Sequence, residues 1–271
     1  MNEHRVIGFN QGQAGDLCMN LVACRAFKEL FPKSEVIFGI NRRYEQLAPL
    51  FLENPLVDGI HIWDGYDNWP VQSDVEYLKS ERFTHIFNPM PQHTRDDWYL
   101  HLHQTEEVCW MHGLQPPNDL SISLTRYFEV PAVDKRRIAV NLHAATRAEA
   151  KTPSPAHARA IVEALEGKGY IPVQIGLPHE QQYCQERFTG TFFESVKFVL
   201  SCGALLTVDS AMAWIASGYK FPTIGLYTPS YYPNASSSTN WQPRNDNLIA
   251  LEAGRIDEIS VDSVISAISS L

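Results

Sequence analysis

The sequence is short of cysteine, of positive charge and of long apolar runs, and each shortage excludes something. Its five cysteines, Cys18, Cys24, Cys109, Cys184 and Cys202, are odd in number and form no C-x-x-C, so neither a disulfide framework nor a zinc knuckle is expected and a reducing compartment fits. Lysine and arginine total 22 against 31 aspartates and glutamates, a net charge of -9, which argues against the broad basic footprint of a nucleic-acid partner or an anionic membrane. Nearly all of the acidic excess sits in residues 1–130, which leaves 131–271 as the better receiver of an anionic ligand. No apolar run approaches the ~20 residues that span a bilayer, and the start of the chain has no signal-peptide pattern, so a cytoplasmic protein without a transmembrane segment is expected. P-loop, H-E-x-x-H and G-x-S-x-G motifs are missing too. So is any Asp-x-Asp, which weighs against a carboxylate-held divalent metal, and no metal site is expected.

What remains is the composition of a folded globule, 44% hydrophobic over 271 residues, long enough for two domains. Apolar runs and helical spacings alternate. Val6 to Phe9 reads as a strand, and Leu17, Leu21, Cys24, Phe27 and Phe31 follow at helical spacing until Pro32. Strands are expected at Val36 to Ile40, Gly59 to Trp63 and His85 to Asn88, and helices at Tyr44 to Glu53, Val75 to Lys79 and Asp96 to His112. A second series begins with a strand at Arg137 to Leu142. Ser154-Pro155 supplies an N-cap and a first-turn proline to a helix through Leu165, and a strand follows at Ile171 to Ile175. Phe192 to Cys202, Ala211 to Tyr219 and Asp257 to Ser270 read as helices, Ala204 to Val208 and Thr223 to Tyr227 as strands. Thr125 to Arg136 reads as a linker, and Thr228 to Asp246 as a long loop. The fold class is therefore α/β with two similarly wound domains, 1–130 and 131–271.

Ligands of open α/β sheets bind beyond the carboxyl ends of the strands, where helix N-termini present unpaired N–H groups. Three loops fit that description. In the first, Gly12-x-x-Gly15-Asp16, the glycines permit close approach of a ligand; Asp16 reads as either a helix N-cap or a functional carboxylate. The second, His143 to Lys151, brings the Thr146 hydroxyl, the Arg147 guanidinium and the Lys151 ammonium together as an exposed, phosphate-suited loop or as a merely solvated one. In the third, Asp209-Ser210 precedes a helix as a cap or as a docking point for a diphosphate or ribose. His101 and His103, two residues apart, do not share a helix face and are not a metal pair. Trp98, Tyr99, Trp110 and Met111 read as core or cleft wall.

Taken in order, these pieces resemble the bacterial heptosyltransferases, glycosyltransferase family 9. The resemblance spans most of the chain. It rests on Gly15-Asp16 with the helix ending Phe27-Lys28-Glu29-Leu30-Phe31-Pro32, on Asn54-Pro55-Leu56-Val57-Asp58, on His143 to Lys151, and on Val208-Asp209-Ser210 with Ala216 and the strand Pro222 to Tyr227. It implies two facing Rossmann-like domains of the GT-B type, the first on the acceptor side and the second binding a nucleotide-sugar donor. The implied activity is inverting, metal-independent transfer of a sugar, such as a heptose, from a nucleotide diphosphate to a glycan or lipopolysaccharide-type acceptor. No cofactor beyond that donor is implied, and the acceptor would bring the protein to the membrane periphery. Asp16 matches the family's general base; Gly15, Thr146, Arg147, Lys151, Asp209, Ser210 and Ala211 fall at donor-binding positions. The chain departs from the pattern in carrying Ala211 for a glycine and Trp214 for a histidine, and in a loop before Lys151 that is one residue longer. A non-catalytic nucleotide- or glycan-binding protein and a nucleotide-sugar epimerase are the alternatives, since fold does not fix function.

Overall fold

A computed structural model describes residues 5–8, 14–64, 72–81, 83–87, 103–111, 113–126, 128–144, 148–229 and 239–271. The chain divides into two compact units, residues 1–127 and 128–271, each with its own parallel sheet. Among the described residues no helix is long and apolar enough to cross a membrane. All five cysteines are unpaired and buried.

In the first unit, β1 (Arg5–Gly8), β2 (Glu35–Asn41), β3 (Gly59–Trp63) and β4 (His85–Phe87) lie in the order β3-β2-β1-β4. Helix α1 (Ala14–Leu30) follows β1. Leu17, Leu21, Cys24 and Phe27 are buried at the expected spacing, and so are Met19, Asn20, Val22, Ala23 and Ala26. A helix buried on more than one face needs cover on more than one side, and α3 (Gln104–Met111) packs against α1. The expected helix over Tyr44 to Glu53 is a 3-10 helix, Arg42–Leu50, whose start is capped by the Asn41 side chain accepting from Arg43 N and which contains Pro49. Helix α2 spans Gln72–Ser80. Of the long helix expected at Asp96 to His112, the described part is α3; residues 88–102 and 112 lie outside the described residues.

The second unit has six parallel strands: β5 (Asp134–Asn141), β6 (Ile171–Ile175), β7 (Glu186–Phe188), β8 (Cys202–Val208), β9 (Thr223–Tyr227) and β10 (Leu248–Glu252), ordered β10-β9-β8-β5-β6-β7. Numbered within the unit, that is 6-5-4-1-2-3, the doubly wound dinucleotide-binding order with its reversal between β5 and β8. Alternating side chains split the interior. Ile138, Val140, Ala204, Leu206, Val208, Ile224 and Leu226 join α5 (Pro155–Gly167) and α8 (Val261–Ser269) in one core. The intervening Ala139, Leu205 and Thr207 are buried on the other face, where α6 (Phe192–Leu200) and α7 (Ala211–Gly218) pack.

Local chemistry sets the helix starts. The Ser154 hydroxyl accepts from His157 N and Pro155 opens α5, as the sequence suggests. Thr191 and Glu194 form a reciprocal capping box on α6, and Ser260 caps α8, later than the expected start because residues Ile256–Glu258 form a separate 3-10 turn. The expected linker is partly strand, since β5 begins at Asp134. Helix α6 stops at Leu200, and Cys202 already belongs to β8.

The central pair β5–β8 is held at unusually close range. Their register shifts between Asp134 and Ile138, and a Cβ on Gly203 would lie 2.3 Å from the Lys135 carbonyl oxygen. Backbone cannot yield as a flexible side chain would. Gly203→Ala is therefore expected to destabilise the protein by about 1–3 kcal/mol, the usual range for overpacking. Denaturant unfolding at a fixed m-value checks this; an unchanged midpoint would show that the strands can part without loss.

Candidate functional site

The carboxyl ends of β5 and β8 open the crevice at which a doubly wound sheet receives its ligand. Asn141 and Thr207 are in register, so the segments beyond them leave side by side toward different faces. After β5, His143 and Ala144 precede 145–147, which lie outside the described residues together with the expected contacts Thr146 and Arg147. The chain then forms a short helix, α4 (Ala148–Lys151), and Thr152 accepts from Ala144 N at 3.2 Å, tying the two ends of the segment.

Lys151 is not the exposed loop cation that the sequence suggests. It closes α4 and is buried, its Nζ 2.6 Å from Oδ2 of Asp209, with side-chain exposures of 10% and 14%. The charge on a buried ammonium must be met by something, and the residue that meets it comes from the far side of the strand reversal. Asp209 and Ser210 stand between β8 and α7. Ser210 has the extended backbone of an N-cap, yet its side chain makes no capping bond; the hydroxyl instead meets Thr207 Oγ1 at 3.0 Å. In the first turn of α7, which begins at the partly exposed Ala211, the Ala213 N–H donates to the Ser210 carbonyl at 3.1 Å, and no Ser210 side-chain cap engages the turn. Trp214, in the same helix, is buried at 3% exposure. Lys151, Asp209 and Ser210 are accordingly brought together, as a cation, its counter-ion and a helix start.

In the first unit, Gly15 and Asp16 are the second and third residues of α1. Asp16 therefore sits inside the first turn rather than at a cap before it, where the helix dipole favours a carboxylate. It is partly exposed. Its charge reaches Tyr44, whose hydroxyl is held above its ordinary range first by burial and then by Asp16, against the lowering pull of Arg43. The Arg43 guanidinium lies 4.7 Å from the Tyr44 ring centroid. The segment starting at Arg42 leaves the carboxyl end of β2, neighbour of β1, so Tyr44 belongs to the same end of the sheet as Asp16. Arg42 is paired with Asp64. Sequence reasoning had not singled out Arg43 or Tyr44; the strand end at Asn41 is the signal that could have found them. Tyr227, at the end of β9, was likewise overlooked.

Among the described residues no three His, Cys, Asp or Glu side chains converge as a metal ion would require. No protein-family model matches the chain, and no curated protein matches it in sequence. Solved structures do match. The family 9 glycosyl transferase of Veillonella parvula is similar with a TM-score of 0.74 at 14% identity, over 99% of this chain and 97% of that one. E. coli ADP-heptose LPS heptosyltransferase II has a TM-score of 0.68 at 14% identity, with 98% of each chain covered. E. coli heptosyltransferase WaaC, solved with ADP, has 0.64 at 13%, over 98% of this chain and 99% of its own. What is shared is the fold. It is the GT-B glycosyltransferase architecture, as the family resemblance in the sequence implies.

Removing one member of a buried ion pair strands the other without compensation. Lys151→Ala is expected to cost about 3 kcal/mol, the low end of the range for buried pairs because both side chains retain some exposure. Replacing both partners by apolar residues of similar size, Lys151→Met with Asp209→Leu, should recover most of that loss. Equilibrium unfolding of the three proteins decides it: a double variant no more stable than the single would refute the pair as the cause.

Proposed function

We propose that the protein is an inverting glycosyltransferase that moves a sugar from a nucleotide diphosphate donor to a glycan or lipopolysaccharide-type acceptor. The observation that carries this reading is the Lys151–Asp209 pair at the strand reversal of a doubly wound sheet, beside a helix start whose own side-chain cap is engaged elsewhere. A leaving diphosphate needs a buried cation and N–H donors placed where its charge grows, and those are the groups present. Residues 128–271 are then the donor domain and 1–127 the acceptor domain. The neighbours' names, two of which specify heptosyltransferases, make a heptose the first sugar to try.

In the transfer, the bond between the anomeric carbon and the diphosphate oxygen breaks as the acceptor oxygen bonds to the opposite face of that carbon. The electron pair leaves with the diphosphate, toward Lys151 and the N–H groups of α7. The acceptor's proton passes to the Asp16 carboxylate, the general base of the reading. With the ammonium of Lys151 in place, the leaving group needs no divalent cation. Gly15, Thr146, Arg147, Ser210 and Ala211 are assigned further donor contacts. The protein works in the cytoplasm and meets the membrane only through its acceptor.

The test incubates the protein with a panel of nucleotide sugars and candidate acceptors, following thermal shift and release of free nucleotide. Release that depends on the acceptor supports transfer. A shift without release points to a binding protein, and sugar inversion without an acceptor to an epimerase. Excess EDTA is expected to leave the rate within about twofold, because Lys151 carries the charge a metal otherwise would; full loss restored by magnesium or manganese would reject that assignment.

Asp16→Asn separates the base from a structural carboxylate. Asparagine keeps the size and loses the proton acceptor, so the variant should melt close to the wild type and bind donor normally, yet transfer at least about a hundredfold more slowly. Surviving turnover would leave Asp16 a first-turn carboxylate serving the helix dipole alone.

A further inference from the structure

Tyr227, the last residue of β9, is fully buried, and its hydroxyl has no hydrogen-bond partner among the described residues. Such a group has given up water for nothing, and a native structure that keeps one calls for a reason. The ring is held in place: a Cβ on Gly225 would fall 2.3 Å from its Cε2, so glycine is what makes room for it. Strands β8 and β9 run in register up to Val208 and Leu226, so the next residues are Asp209 and Tyr227. Alternation puts Tyr227 on the face opposite the core that holds Leu226, and Asp209 is the first residue beyond Val208. Asp209's charge is felt at the hydroxyl, adding to burial in keeping it protonated well above the ordinary range.

Asp209 is at the same time committed to Lys151. A donor diphosphate arriving at that ammonium brings negative charge to a place already held by a carboxylate, and two anions cannot share it without repulsion. Resting on the donor reading above, we propose that Tyr227 is the second partner of Asp209: the diphosphate takes over Lys151, and Asp209 turns to accept a hydrogen bond from the Tyr227 hydroxyl. No proton moves between them; the phenol donates and the carboxylate stays ionised. The ligand-free protein thus keeps Lys151 charged with an internal anion and holds in reserve the donor that anion needs once it is displaced. Tyr227 is on this account a positioning residue. It never touches the donor, but it determines where Asp209 goes when the donor arrives.

Tyr227→Phe removes the hydroxyl and keeps the ring over Gly225. The ligand-free variant is expected to melt at or above the wild-type temperature, since an unsatisfied group has been deleted. Its affinity for ADP and UDP, measured by calorimetry, should fall about tenfold or more, the order expected for a lost hydrogen bond to a charged group. In the wild type, saturating diphosphate should also shift the near-ultraviolet absorbance of a buried tyrosine, and the variant should lose that signal. A merely structural tyrosine gives the reverse: a lower melting temperature, or failure to fold, with unchanged affinity in whatever folds, and either overturns the proposal. Wild-type protein that binds diphosphate while Tyr227→Phe binds within about twofold of it overturns the exchange and leaves the donor reading standing. Wild-type protein that binds neither ADP, UDP nor inorganic pyrophosphate removes the donor reading, and the exchange with it.

Discussion

Two parallel strands that lie side by side yet lead to opposite faces of their sheet cannot have the gap at their ends filled by either connection. Strands β5 and β8 are such a pair. The candidate functional residues of the second unit with described coordinates follow from that geometric constraint, and Asp16 holds the corresponding place after the first strand of the other unit. Asp16 comes off β1, Lys151 off β5, and Asp209 and Ser210 off β8. The close approach that Gly203 permits lies at the amino ends of the same pair, beside its register shift.

Electrostatics then distinguishes the two units. At the end of the first sheet, Asp16 stands partly exposed in a helix's first turn, where its charge is felt by Tyr44. At the end of the second, charge is buried and already balanced, and the balance is between residues from different strands. A carboxylate open to solvent suits the handling of a proton, whereas a buried ammonium suits the holding of a large anion. The acidic excess of the first 130 residues and the near neutrality of the rest agree with that division.

Much of the architecture was legible because period and punctuation agreed. Pro32 after a 3.6-residue apolar repeat, and Ser154-Pro155 before another, mark elements whose ends the structure confirms to within a residue or two. Where the reading failed, the cause lies beyond the local chain. Strands β7 and β10 were missed, one being three residues long and the other an edge strand whose apolar residues are only half covered, so that neither shows a firm pattern. The expected α-helix over Tyr44 to Glu53 is a 3-10 helix, a difference that apolar spacing alone does not register. The burial of Lys151 was illegible because its partner lies far along the chain, and no local pattern records a contact made through the sheet. The same holds for Tyr227, which reads as an ordinary strand aromatic until register sets it beside Asp209.

The strand order also has a kinetic side. Because β5 must wait for β8, and β6, β7 and α6 are made in between, the seam that carries Lys151 and Asp209 is closed by a contact of long sequence separation, the kind that folding delays. In the second unit the pair β5–β6, closer in sequence, can form while the seam is still open. An incompletely folded chain therefore exposes the edge of β5 without yet owning the crevice, and a ligand of that crevice acts only on chains that have finished folding. Any ligand that binds there would draw its whole affinity from the folded state, and would so stabilise the closed seam by mass action.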